Sequence, residues 1–200
     1  MQFLLIVLAY FLGAVPFGLL VAKYLCGVDP RQGGSCNVGA TNVGRLCGTR
    51  YGLVTLAFDL SKGLLPVVLA LRADHAPFVV SLVALAALVG HCYSIFLGFS
   101  GGKAVATTIG VFLPIATWQL LVSVALAVAI VLLSGYMSLG SLVLVGSLFV
   151  LTLFSSKIVY APLAAVVMVL VFWRHRANIQ RLARGEENTW RKKKEVQNAP

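Results

Sequence analysis

Residues 33–45 read Gly33-Gly34-Ser35-Cys36-Asn37-Val38-Gly39-Ala40-Thr41-Asn42-Val43-Gly44-Arg45, a polar, glycine-dense stretch between two apolar runs. Its four glycines let backbone N–H groups turn toward one point. Ser35, Asn37, Thr41 and Asn42 add small side-chain donors, and Arg45 closes the stretch with a fixed guanidinium fork. That set suits a phosphate or another compact oxyanion. The plain alternative is a connecting loop that caps the next helix.

Two further stretches have matching chemistry. His91-Cys92-Tyr93-Ser94 leads to Gly101-Gly102-Lys103 and then Ala104-Val105-Ala106-Thr107, so two glycines precede a lysine at the expected start of a helix. Helix-terminal amides, the helix dipole and the Lys103 ammonium would then face one anion. In Arg174-His175-Arg176-Ala177-Asn178-Ile179-Gln180-Arg181, the residues His175, Asn178 and Arg181 recur at steps of three and share a face if the helix continues. Ser138 and Ser141, in the turn at 134–141, either donate to a phosphate or cap the following helix. Asp59 and Lys62 lie three apart inside an apolar run and are expected to pair, in a structural role. A lone charge near a bilayer centre costs about 2.5–3.5 kcal/mol.

Other chemistries are excluded. Gly34 and Gly39 have the spacing of a nucleotide-binding loop, but Ala40-Thr41 follows where the lysine is needed. Five residues after His91 stands Phe96, so the His–Asp signature of the commoner acyltransferases is missing. An acyl-enzyme is not expected. Cys26, Cys36, Cys47 and Cys92 make no C-x-x-C pair and no zinc-ligand spacing with His91. Neither a metal nor a cofactor is expected.

These residues need elements to position them. The 200-residue chain is 60% hydrophobic and 11% charged, which calls for an all-α integral membrane protein with a single domain over 1–200. Seven apolar segments are expected to span: 3–22, 52–71, 77–96, 104–117, 119–135, 139–153 and 158–173. Short amphipathic or re-entrant segments join them on the cytoplasmic side. Gly110, Pro114, Gly135 and Gly140 blur the fourth to sixth. The first segment lacks a basic leader and a small-x-small cleavage site, so it is read as a span rather than a signal peptide.

Lysines and arginines set the orientation. Loops 23–51, 97–103 and 136–138 and the tail from 174 hold nearly all of them, whereas the opposite side has Arg72 and Lys157. The N-terminus is therefore expected outside and the C-terminus in the cytoplasm. The net charge of +10 gathers on one face, suited to anionic headgroups and substrates. Nucleic acid is excluded for want of a recognition motif. The tail from about 186, with Arg191-Lys192-Lys193-Lys194, is expected to be polar, cytoplasmic and solvated. On that side the four thiols are expected reduced.

Taken together, the blocks closely resemble those of the bacterial acyl-phosphate-dependent glycerol-3-phosphate acyltransferases, the PlsY family. The first stretch is similar to that family's G-S-G-N-x-G-A-T-N-x-x-R block, the second to its G-H-x-x-x-x-F-x-x-F-K-G-G-K-x-V-A-T block, and the third to R-H-x-x-N-I-x-R-L. Asp59-x-x-Lys62-Gly63 and the Ser-Leu-Gly turn also fit, so the resemblance runs nearly end to end. Two positions depart from it: Cys36 where the family usually has glycine, and Ser100 where it usually has lysine. The first narrows the loop's freedom and the second removes a cation beside the anion site.

The resemblance implies a seven-helix enzyme of the bacterial inner membrane with its active site facing the cytoplasm. It would move an acyl group from acyl phosphate to the 1-hydroxyl of glycerol 3-phosphate, giving lysophosphatidic acid and phosphate, the opening of phospholipid synthesis. Ser35, Arg45, Lys103, His175 and Asn178 are the expected catalytic residues. Gly34, Asn37, Thr41, Asn42, Gly101, Gly102, Ser138, Ser141 and Arg181 are expected to bind substrate. Partners would be the two substrates and membrane lipid, without nucleic acid or metal. The competing class is a transporter of a phosphorylated anion, for which glycine-broken helices around a cationic pocket also suffice. A Mg²⁺-dependent phosphoalcohol transferase is disfavoured by the missing aspartates.

Overall fold

A computed structural model describes residues 2–190, and the expected charge run at 191–194 lies outside them. Ten α-helices follow one another: α1 (Gln2–Ala14), α2 (Phe17–Cys26), α3 (Ala40–Cys47), α4 (Thr49–Arg72), α5 (Pro77–Cys92), α6 (Val105–Phe112), α7 (Thr117–Ser134), α8 (Met137–Leu153), α9 (Ala161–Arg174) and α10 (Arg176–Ala183). Two short 3₁₀ turns, Ile95–Leu97 and Ile158–Tyr160, complete the regular structure of the described residues.

Each expected apolar segment falls on helix, with informative differences. Segment 3–22 is broken, because Pro16 cannot continue a helix and disfavours helical geometry at Val15. The break frees carbonyls in an apolar setting, where each needs a partner. Ser94 Oγ donates to the Ala14 carbonyl at 2.6 Å, and Lys62 Nζ donates to that of Val15 at 3.0 Å. α6 has only eight residues, about 12 Å of rise at 1.5 Å per residue, too little to cross a bilayer alone. Gln2–Cys26, Thr49–Arg72, Pro77–Leu97 and Thr117–Ser134 are long and apolar enough to cross. Ile158–Arg174 joined to Arg176–Ala183 adds a fifth if counted as one broken span, bent by 61°.

Small residues let the helices approach closely. Any side chain at Gly13 would strike the Ala87 backbone of α5, and any at Gly90 would strike Tyr10 of α1. Gly63 and Gly110 seat α4 against α6 in the same way. Around these contacts Leu88, Phe112, Leu120, Val145, Leu148, Val167 and Val171 form a fully buried core. Apolar side chains such as Phe3, Phe78, Trp118, Leu133 and Phe154 stay exposed on the outside, as lipid contact requires. The expected Asp59–Lys62 ion pair forms at 2.8 Å, with both side chains 3% exposed. His91 approaches the same carboxylate at 3.7 Å.

The thiols differ from expectation. Cys26 and Cys47, at the ends of α2 and α3, are joined as a disulfide with Cα atoms 5.9 Å apart, leaving Cys36 exposed and Cys92 buried as free thiols. The expectation of four free thiols followed from compartment alone, and compartment says nothing about which helix ends meet.

Candidate active site

The polar loop before α3 is held by a single amide. Asn42, 2% exposed, donates through Nδ2 to the carbonyls of Pro30, Gly33 and Asn37 at 2.9–3.1 Å. Its Oδ1 accepts from the Ser35 N–H at 2.8 Å. Gly34, with φ +60°, turns the chain directly over that Oδ1, where a side chain would collide. Asn37 Oδ1 accepts the Gly39 N–H at 2.9 Å, folding the chain into the first turn of α3. Asn42, expected to bind substrate, lines the cavity described below, and its polar atoms bond the loop.

The Gly101-Gly102-Lys103 turn is clamped from two sides. The N–H groups of Gly101 and Gly102 donate to the carbonyls of Cys92 and His91, both at 3.0 Å. Arg174 donates from Nη2 to the Gly101 carbonyl at 2.7 Å and from Nε to that of Gly102 at 3.0 Å. Side chains on either glycine would run into His91. Lys103 leaves this turn to donate to Asn178 Oδ1 at 2.6 Å.

The helix does not run straight through the third block; the chain bends at His175 between α9 and α10. His175 nonetheless abuts α10, so it still groups with Asn178 and Arg181. Its Nδ1 lies 2.9 Å from the Val171 carbonyl, which can only accept, so Nδ1 carries the proton and Nε2 is the acceptor. Burial, with the nearby Lys103 charge, pushes His175 down to about 4.

All this converges on one cavity of about 430 Å³. Its polar part is lined by Ser35, Asn37, Thr41, Arg45, Lys103, Ser138, Ser141, His175, Asn178, Arg181 and Glu187. Its apolar part runs between α4, α6, α7 and α8, past Leu56, Ile109, Val124, Ala127, Val131 and Leu144. Gly34, Gly101 and Gly102, expected to touch substrate, do not line it; they shape the turns behind it. Ser100 is likewise outside the wall. Cys36 sits at φ +53°, a left-handed conformation that favours the glycine it replaces.

Two participants escaped the sequence reading. Glu187, with a side chain 6% exposed, accepts from Ser138 Oγ (2.9 Å), Asn178 Nδ2 (2.6 Å) and Arg181 Nε (2.8 Å). Burial raises its pKa, but these donors outweigh that and leave it below the usual carboxylate range. It follows a left-handed turn at Gly185, so no helical period links it to Arg181. Arg174 opens the third block and counts there among the membrane-edge cations, with no role of its own. Burial pushes Lys103 down to about 8; Glu187 opposes this, while Arg181, Arg174 and Arg45 reinforce it.

Helices alone among the described residues, exposed apolar flanks and a cationic cavity opening into an apolar arm define an integral membrane protein. Residues 3–185 match the family model described as glycerol-3-phosphate acyltransferase. Named glycerol-3-phosphate acyltransferases from Nitratidesulfovibrio vulgaris and Lawsonia intracellularis are 57% and 51% identical to it over 92% and 93% of the chain. The chain spans 57% of the former's length and 94% of the latter's. Among solved structures, PlsY, an integral membrane glycerol 3-phosphate acyltransferase, is 37% identical. Its glycerol 3-phosphate form superposes with a TM-score of 0.91, covering 95% of this chain and 96% of that one. Its lysophosphatidic acid form gives 0.88 over 94% of each. The chain belongs to the glycerol-3-phosphate acyltransferase family, of the PlsY type.

Proposed function

We propose that the protein transfers a fatty acyl group from acyl phosphate to the 1-hydroxyl of glycerol 3-phosphate, releasing lysophosphatidic acid and inorganic phosphate. One observation carries the reading: Arg45, Lys103 and Arg181 share a cavity with an apolar arm, so two phosphates and one acyl chain have matching walls. Glycerol 3-phosphate lies against His175 and Asn178, and the acyl-phosphate head against Ser35 and Thr41, with Arg45 and Lys103 clamping phosphates. Acyl phosphate is a mixed anhydride with a good leaving group. The hydroxyl oxygen attacks the acyl carbon, the bond to phosphate breaks, and the phosphate leaves with its electron pair, in one ternary complex. The protein aligns two anions that repel each other and neutralises the charge building on the leaving group.

The glycerol proton goes to substrate phosphate. A phosphate ester has its second pKa near about 6, a better acceptor at neutral pH than a histidine held at about 4. His175 is a donor–acceptor that orients glycerol 3-phosphate. In the cell, the N-terminus lies outside the inner membrane and the cavity faces the cytoplasm, an orientation supported by the lysine and arginine bias of the loops.

Purified protein in detergent or lipid, given acyl phosphate and glycerol 3-phosphate without metal or acyl-CoA, is expected to make lysophosphatidic acid. No product under these conditions would end the reading. An acylated Ser35 trapped by mass spectrometry would replace single-step transfer with a covalent route.

A further inference from the structure

We infer that Arg174 is a positioning residue for acyl transfer, locking the turn that presents Lys103 to the turn that presents His175 and Asn178. The inference rests on the acyltransferase reading above. Arg174 lies outside the cavity wall, so it acts through its neighbours.

The links form a closed circuit. Arg174 grips the carbonyls of Gly101 and Gly102 with two separate guanidinium nitrogens. Lys103 follows those glycines directly and reaches Asn178 across 75 residues of sequence. Asn178 stands on α10, which begins just after His175, and His175 is covalently next to Arg174. Moving any one member therefore moves the others.

Three details make the grip specific. The glycine amides on the opposite edge of the turn are held by the Cys92 and His91 carbonyls, so the peptides are fixed on both sides. The guanidinium stacks over the Tyr93 ring, 5.4 Å from its centroid, and the Tyr93 carbonyl accepts from the Tyr10 hydroxyl of α1 at 2.9 Å. A planar fork can hold two carbonyls at a set angle, whereas a lysine ammonium is a single point charge. A residue needed only for positive charge at a membrane edge would show neither the paired carbonyls nor the aromatic platform.

The test compares wild type with Arg174→Lys and Arg174→Ala in the lysophosphatidic acid assay, alongside thermal midpoints and elution profiles. Both variants are expected to lose about tenfold to a hundredfold in kcat/KM, the scale of a displacement near 1 Å. Guanidinium added to Arg174→Ala is expected to restore activity, and methylammonium at equal ionic strength is not. A merely structural stabiliser would show as a lowered thermal midpoint, with kcat/KM of the folded fraction unchanged. If Arg174→Ala fails to fold, Arg174→Lys, which keeps stem and charge, decides the matter. Wild-type kcat/KM in Arg174→Lys, or equal rescue by both cations, overturns the inference and leaves the acyltransferase reading intact. An inactive wild type sinks both.

Discussion

Lys103 is the residue whose chemistry is most exposed to measurement. It is charged below about 8 and neutral above. If it clamps phosphate, kcat/KM falls as pH rises through that value, and a bound phosphate dianion moves the limb upward in kcat. Lys103→Arg, permanently charged, should remove the limb from the accessible range, as a pH–rate profile will read. Arg45→Ala and Lys103→Ala should each lose a charge-assisted contact of about 1.5–3 kcal/mol, roughly tenfold or more in kcat/KM. Near-wild-type values would take them out of the site. For His175→Ala the proposed role predicts a raised KM for glycerol 3-phosphate with kcat retained at saturation. A fall of several orders of magnitude in kcat at unchanged KM would make His175 the base instead.

The loop leading into α3 is an element without regular structure of its own, and Asn42 stands in for the missing ladder. Asn42→Ala removes the partner of one N–H and three carbonyls. Each buried group left unpaired costs about 1–3 kcal/mol. A lowered thermal midpoint together with lost activity is therefore expected, and a change in kcat/KM with an unmoved midpoint would mean Asn42 binds substrate directly. The Cys26–Cys47 link encloses this same loop at its base. Peptide mapping of unreduced protein should find Cys26 joined to Cys47, with alkylation confined to Cys36 and Cys92. Full alkylation of all four would contradict it.

Across the whole molecule, the cavity couples a charged end to an apolar arm that opens between helices. Ala127 lines that arm on α7, 7% exposed, so Ala127→Phe should obstruct the chain while leaving the phosphate groups untouched. The expected outcome is a shift in preference toward shorter acyl phosphates of about tenfold or more in relative kcat/KM, a scale set by losing a few buried methylenes. Equal loss for all chain lengths would put the acyl tail elsewhere. Helix contacts made through Gly63 and Gly110 set how closely α4 and α6, two walls of this arm, approach.

By itself, the sequence determined the membrane character, the positions of most helices, the charge asymmetry and the three blocks that meet in the cavity. Each of these is local: hydropathy, helix period and motif spacing are written within a few dozen consecutive residues. It also anticipated the Asp59–Lys62 pair, since a step of three on a helix is a local fact. What only the tertiary structure decided depends on contacts between distant segments. Asn42 became the staple of its loop, and Gly101 and Gly102 became packing positions against His91. Glu187 entered the polar cluster past a left-handed turn, Arg174 reached back 72 and 73 residues to the glycine carbonyls, and two cysteines met across a loop. No periodicity encodes such meetings; they exist because close packing of helices and the need to pair every buried polar group leave each of these side chains one place to go.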